Sequence, residues 1–105
     1  MTKICRQMAE GKVLFEDAEK RVMEWRFAPG AATGWHRHEY DYAVVPLMDG
    51  KLGLELPGGE YKEAECKRGI PYNRLEGAEH DVINVNDFEY AFIEVELKKR
   101  PITNL

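Results

Sequence analysis

The chain is poor in cysteine, in net charge and in long apolar runs. Two cysteines in 105 residues, Cys5 and Cys66, are too few for a disulfide framework, and their spacing does not match a zinc ribbon. Both read as free thiols of a reducing cytoplasm. No segment approaches the ~20 apolar residues that cross a membrane. The stretch from Met1 to Gly11 mixes Lys3, Arg6 and Glu10 with short apolar pairs, unlike a signal peptide. Fifteen basic against nineteen acidic residues leave a net charge of −4, which offers no basic stripe to a nucleic acid. The densest basic run, Lys98-Lys99-Arg100, reads as a solvated tail. Repeats, a Gly-rich phosphate loop, a Gly-x-Ser-x-Gly elbow and a His-Glu-x-x-His pair are all missing. Their absence removes the simplest routes to nucleotide binding, serine hydrolysis and zincin chemistry.

Turn signals, by contrast, are frequent and evenly spaced. Pro29-Gly30, Asp49-Gly50, Pro57-Gly58-Gly59, Gly69, Gly77 and Asn86-Asp87 punctuate short runs of β-branched and aromatic residues. With 44% hydrophobic and 32% charged residues the composition is that of a globular domain. Its length predicts a single domain over 1–105, able to bury about two-thirds of the surface its unfolded chain exposes.

Arg21 to Phe27 alternates, with Met23, Trp25 and Phe27 on one face and Glu24 and Arg26 on the other. Tyr42 to Met48 is nearly all apolar and ends at Asp49-Gly50. That dipeptide predicts a hairpin returning antiparallel along Leu52 to Leu56. Glu60 to Glu65 reads as a polar edge strand, followed by Ile70 to Leu75 and His80 to Val85. Phe88 to Leu97 closes the set. It has Ala91, Ile93, Val95 and Leu97 on one side and Phe88, Tyr90 and Phe92 on the other. Glu94 and Glu96 share the side of Phe92, either solvated or in inward polar contacts. One stretch, Ile4 to Glu10, suits a helical turn. About eight strands with no alternating helices predict an all-β closed barrel or jelly roll with its core over about 20–97.

The chain has three histidines. His36 and His38 are two residues apart, which places both rings on one face of a strand. Neutral imidazoles at that spacing suit a divalent cation. His80 opens another predicted strand and would complete a triangle that leaves coordination positions open, as in catalytic sites. A barrel-mouth histidine bonded to a backbone carbonyl is the plainer alternative for His80.

These spacings resemble the two-part signature of the cupin superfamily. The first part runs Gly, five residues, His-x-His, three or four residues, Glu, six residues, Gly. Here it reads Gly30, His36-Arg37-His38, then Ala43 in the Glu position and Gly50. With three residues in the gap, Tyr42 takes that position instead. Asp41 could reach inward only at a bulge. The second part runs Gly, five residues, Pro-x-Gly, two residues, His, three residues, Asn. Here it reads Gly69, Leu75-Glu76-Gly77, His80 and Asn84, with Leu75 in place of Pro. The wider run, from Trp25-Arg26-Phe27-Ala28-Pro29-Gly30 to Glu94-Val95-Glu96-Leu97, is similar to small bacterial single-domain cupins, some of them associated with β-alanine degradation.

The resemblance implies a cupin-type double-stranded β-helix and a metal held by His36, His38 and His80. Ala43 cannot supply the family's usual carboxylate. A three-His site is similar to that of cupin thiol dioxygenases, so Fe(II) is the first expectation, with Zn²⁺, Mn²⁺ or Ni²⁺ as alternatives. Tyr42, Tyr72 and Tyr90 could present hydroxyls, and Arg74 could hold a substrate carboxylate as a bidentate fork. Tyr42, Tyr72 and Arg74 are the expected catalytic residues. Trp25 and Trp35 read as core and rim, and Asn84 as a brace rather than a ligand. The function expected is a metal-dependent oxygenase acting on a small acid or thiol. Its rivals are a ligand-binding module without turnover and a Zn²⁺-dependent isomerase or hydrolase. The resemblance also implies a homodimer.

Overall fold

The computed structural model of the protein describes residues 6–98. Its nine strands are β1 (Glu10–Glu16), β2 (Lys20–Phe27), β3 (His36–Arg37), β4 (Asp41–Pro46), β5 (Gly50–Glu55), β6 (Tyr61–Cys66), β7 (Tyr72–Arg74), β8 (Glu79–Asn84) and β9 (Tyr90–Leu97). They form a five-stranded sheet in the order β1-β2-β9-β4-β7 and a four-stranded sheet in the order β3-β8-β5-β6. Every ladder is antiparallel. The two sheets share one core, in which Phe27, Val44 and Phe92 of the first meet Leu52, Leu54 and Val82 of the second. This is the jelly roll expected of the strand pattern.

Registers across the five-stranded sheet stack inward-facing side chains in rows. Arg21, Glu96, Tyr42 and Arg74 form one row, and Met23, Glu94, Val44 and Tyr72 the next. Trp25, Phe92 and Pro46 form the third. The period of two that puts Phe92 inside carries Glu94 and Glu96 inside with it. Both glutamates are buried, which decides the alternative that the sequence leaves open.

Several expectations need correction. The predicted hairpin at Asp49-Gly50 does not form, because β4 and β5 belong to different sheets. The Asp49 carboxylate accepts from the Arg68 amide at 2.8 Å. Gly50 is required by packing, since a Cβ there would meet the Tyr90 ring at 2.7 Å. No helical turn occurs between Arg6 and Glu10; Met8 bridges to Ala32 and Glu10 opens β1, while Ile4 and Cys5 lie outside the described residues. Strand β1 has no counterpart in the sequence reading, because its apolar residues Val13, Leu14 and Phe15 run together without alternation. The strand expected over Ile70 to Leu75 shortens to β7, with Ile70 and Leu75 exposed. Lys98 is not part of a solvated tail: its ammonium pairs with Glu16 and donates to the Asp17 carbonyl. Lys99 and Arg100 lie outside the described residues.

Candidate metal centre

The three histidines converge. His36 lies opposite His80 in the β3–β8 ladder. His38 has already left the strand, and the turn before β8 holds it: its amide donates to the Ala78 carbonyl at 2.9 Å, and Gly77 donates to its carbonyl at 2.8 Å. Gly77 sits at φ +88°, a left-handed conformation that favours glycine. The two signature segments are therefore tied together at the backbone. The rings point Nε2 to Nε2, with His36 and His38 at 3.0 Å and His38 and His80 at 3.2 Å. Nitrogens bound to one ion at about 2.1 Å stand roughly 3.0–3.4 Å apart, so the trio could hold a metal ion.

Tautomer and charge agree with that fit. The Nδ1 of His36 lies 2.9 Å from the Gly34 carbonyl. A carbonyl only accepts, so the proton sits on Nδ1 and the Nε2 lone pair faces the cluster. Burial, then His36 and His80, push the His38 imidazole down to about 3. Burial, His36 and Arg74 push His80 down to about 4. Both rings are neutral at pH 7.

A cavity of about 370 Å³ opens in front of them. Tyr42, Tyr72 and Arg74, expected as catalytic residues, all line it. Tyr42 stacks on His38 with ring centroids 3.8 Å apart. It is 3% exposed and its hydroxyl finds no hydrogen-bond partner among the described residues. Tyr42, not Ala43, thus occupies the inward position where the signature carries Glu. Asp41 does not reach inward either; its carboxylate accepts from the Glu76 amide at 2.8 Å. The substitution of Leu75 for Pro is harmless to the site, because Leu75 is 72% exposed on that turn. Burial raises the Tyr42 and Tyr72 phenols well above their ordinary range. Tyr90 does not serve the cavity: it is fully buried and donates to the Met48 carbonyl at 3.0 Å. Trp25 lines the cavity besides packing on the core, whereas Trp35 stays on the rim, its indole 3.3 Å from the Glu79 carboxylate. Cys66 is a buried free thiol.

Five charged cavity residues escaped the sequence reading as site residues: Arg21, Arg37, Glu39, Glu94 and Glu96. Arg21 pairs with Glu96 at 2.6 Å through Nη2 and 2.7 Å through Nε. Glu94 receives the Trp25 indole, but burial and Glu96 push its carboxyl up to about 7. His38, Glu94 and Glu96 bring their ligand atoms within 4.8 Å of one another. Register alone could have revealed the pair, since Glu94 and Glu96 share the parity of Phe92. Asn84 does not line the cavity; it braces the end of β8. Its amide donates to the carbonyls of Phe27, Ala28 and Phe88 and accepts from Asn86.

A double-stranded β-helix with a three-histidine cluster at one end of its cavity defines a cupin. No family model matches the chain, but relatives do. A cupin domain from Bordetella pertussis Tohama I, known as a crystal structure, is 45% identical, superposes with a TM-score of 0.88, and covers 92% of this chain and 100% of its own. The chain therefore belongs to the cupin superfamily. It is also 50% identical, over 93 residues, to the β-alanine degradation protein BauB of Pseudomonas aeruginosa, across 89% of this chain and 97% of that one. A protein with a double-stranded β-helix domain from Klebsiella pneumoniae, 18% identical with a TM-score of 0.71 and coverage of 91% and 82%, shares the fold.

Proposed function

We propose that this cupin is a metal-dependent enzyme acting on a small carboxylic acid, most sharply an Fe(II) dioxygenase with His36, His38 and His80 as ligands. The observation that carries the reading is the convergence of three imidazole Nε2 atoms beside Arg74, an arginine with no carboxylate partner among the described residues. Fe(II) held by three imidazoles supplies open coordination positions and one-electron chemistry. The chain's own residues do the rest. Arg74, its guanidinium near the Tyr72 ring, binds the acid's carboxylate as a fork. The Tyr42 hydroxyl, buried and without a partner among the described residues, donates to a substrate oxygen and orients it. The apolar wall of Val44, Leu52, Leu54 and Val82 excludes water from the reacting end. The name of the Pseudomonas relative points to the same class of small acids. Zn²⁺, Mn²⁺ and Ni²⁺ fit the same donors.

Oxygen uptake by Fe(II)-loaded protein tests this reading across a panel of short-chain acids. Uptake that Arg74→Gln abolishes supports it. Metal-loaded protein that binds acids and never consumes oxygen would refute the oxygenase and leave a binding module. The proposal places the protein in the cytoplasm, where a free buried Cys66 stays reduced.

The proposal includes a homodimer through β1. This strand is the outer edge of the larger sheet and is exposed along its whole length. Antiparallel pairing with a second copy, Val13 against Phe15, would cover its apolar run and set Lys12 opposite Glu16. Sedimentation equilibrium should return twice the chain mass, and Phe15→Lys should halve it.

A further inference from the structure

We infer that Glu94 is a fourth ligand of the metal centre, adding one carboxylate oxygen to the three imidazoles. The inference deepens the metal-dependent reading above and rests on it. Glu94 and Glu96 face the cavity from β9, two residues apart. A ring nitrogen of His38 and a carboxylate oxygen of each glutamate lie within 4.8 Å of one another. His38 is thus shared between this group and the histidine trio. The two glutamates differ in what holds them. Glu96 is pinned by Arg21 at 2.6 Å and 2.7 Å. Glu94 receives the Trp25 indole, but no lysine or arginine pairs with it among the described residues. It is 8% exposed, and a buried carboxylate is costly until a cation meets it.

A metal ion here has the complementary need. Imidazoles bind a metal in their neutral form, so three of them leave the charge of a divalent ion uncompensated. Val44, Leu52, Leu54 and Val82 line the same cavity, and an apolar wall screens that charge poorly. One carboxylate offsets part of it, and Glu94 is the glutamate not already committed to an arginine. Ligand atoms about 2.1 Å from one ion stand no more than about 4.2 Å apart. A spacing within 4.8 Å therefore closes by a small turn about the glutamate side-chain torsions. A second observation marks the same place. The Tyr42 hydroxyl is buried and unpartnered among the described residues, and its ring stacks on His38. Such a donor calls for an acceptor that arrives with the ion. Four protein ligands leave positions open on a six-coordinate metal for that water or substrate oxygen.

Titration of the full chain with Co(II) against a competing chelator tests this, because the visible bands of Co(II) report its donor set. Glu94→Gln keeps the shape of the side chain and removes its charge. It should weaken Co(II) binding at least about tenfold and shift the visible bands. An infrared difference spectrum of the wild type on adding Co(II), which needs no variant, should show a carboxylate band that Glu94→Gln removes. Unchanged affinity and bands in Glu94→Gln overturn the inference and leave the three-histidine centre standing. Weaker binding with unchanged bands overturns it too, since Glu94 would then act through its charge without touching the ion. A wild-type difference spectrum with no carboxylate band has the same consequence. Wild-type protein that takes up no Co(II) refutes the three-histidine centre and this inference with it.

Discussion

Asn84 shows how much one side chain can hold at the end of a strand. Its amide ties the end of β2 to the turn before β9 by donating to the Phe27, Ala28 and Phe88 carbonyls. Removing it takes a donor from each of those carbonyls, although Ala28 keeps the Ala31 amide. Asn84→Ala should therefore cost about 1–3 kcal/mol, the range for a buried group left unsatisfied. Urea unfolding of the metal-free protein would show it, and a loss under about 0.5 kcal/mol, the size of a surface effect, would contradict the brace. Residue identities were also the most legible part of the site. Three histidines, Tyr42, Tyr72 and Arg74 all line the cavity, because histidine spacing and glycine turns are local signals. Arg21 and Glu94 were not legible, because an inward charge on a strand looks like a solvated one until the opposite sheet is in place.

At the scale of elements, alternation read β2 correctly and β9 only in part. In β9 the apolar residues Ile93 and Val95 are half-buried while Glu94 and Glu96 are buried, since the sheet faces a polar cavity rather than a dry core. The Asp49-Gly50 pair misled for a related reason. A hairpin signal is local, whereas the jump from one sheet to the other is dictated by packing: Tyr90 fills the space beside Gly50 and anchors Met48. Gly50→Ala should cost about 1–3 kcal/mol through overpacking, although the backbone there is at an ordinary φ. Thermal unfolding checks it, and Gly50→Ala combined with Tyr90→Phe should not recover the loss, because the ring, not the hydroxyl, meets the new carbon. Recovery in that double variant would contradict the steric account.

For the whole molecule, the site makes stability depend on pH with opposing signs. His38 and His80 are held at about 3 and about 4, below the usual 6.5. Between about pH 6.5 and 4 the unfolded chain takes up protons at these positions and the folded chain does not, so they remove stability as pH falls. Glu94 is held at about 7, above the usual 4.5. Over roughly the same window it is protonated when folded and ionised when unfolded, so its contribution is lost as pH rises. Two histidines outweigh one glutamate, and the melting temperature of chelated protein should fall between pH 6.5 and 4.5. Glu94→Gln removes the opposing group and should steepen the fall. A shallower slope in that variant would show that Glu94 is ionised in the fold at these pH values.

All of this turns on whether His36, His38 and His80 act as one ligand set. The most direct measurement is the metal content of protein purified without an affinity tag and incubated anaerobically with Fe(II). The account predicts close to one ion per chain, falling to background in His80→Ala while the fold persists. Protein that stays metal-free after this treatment, or a His80→Ala variant that keeps its ion, would contradict it.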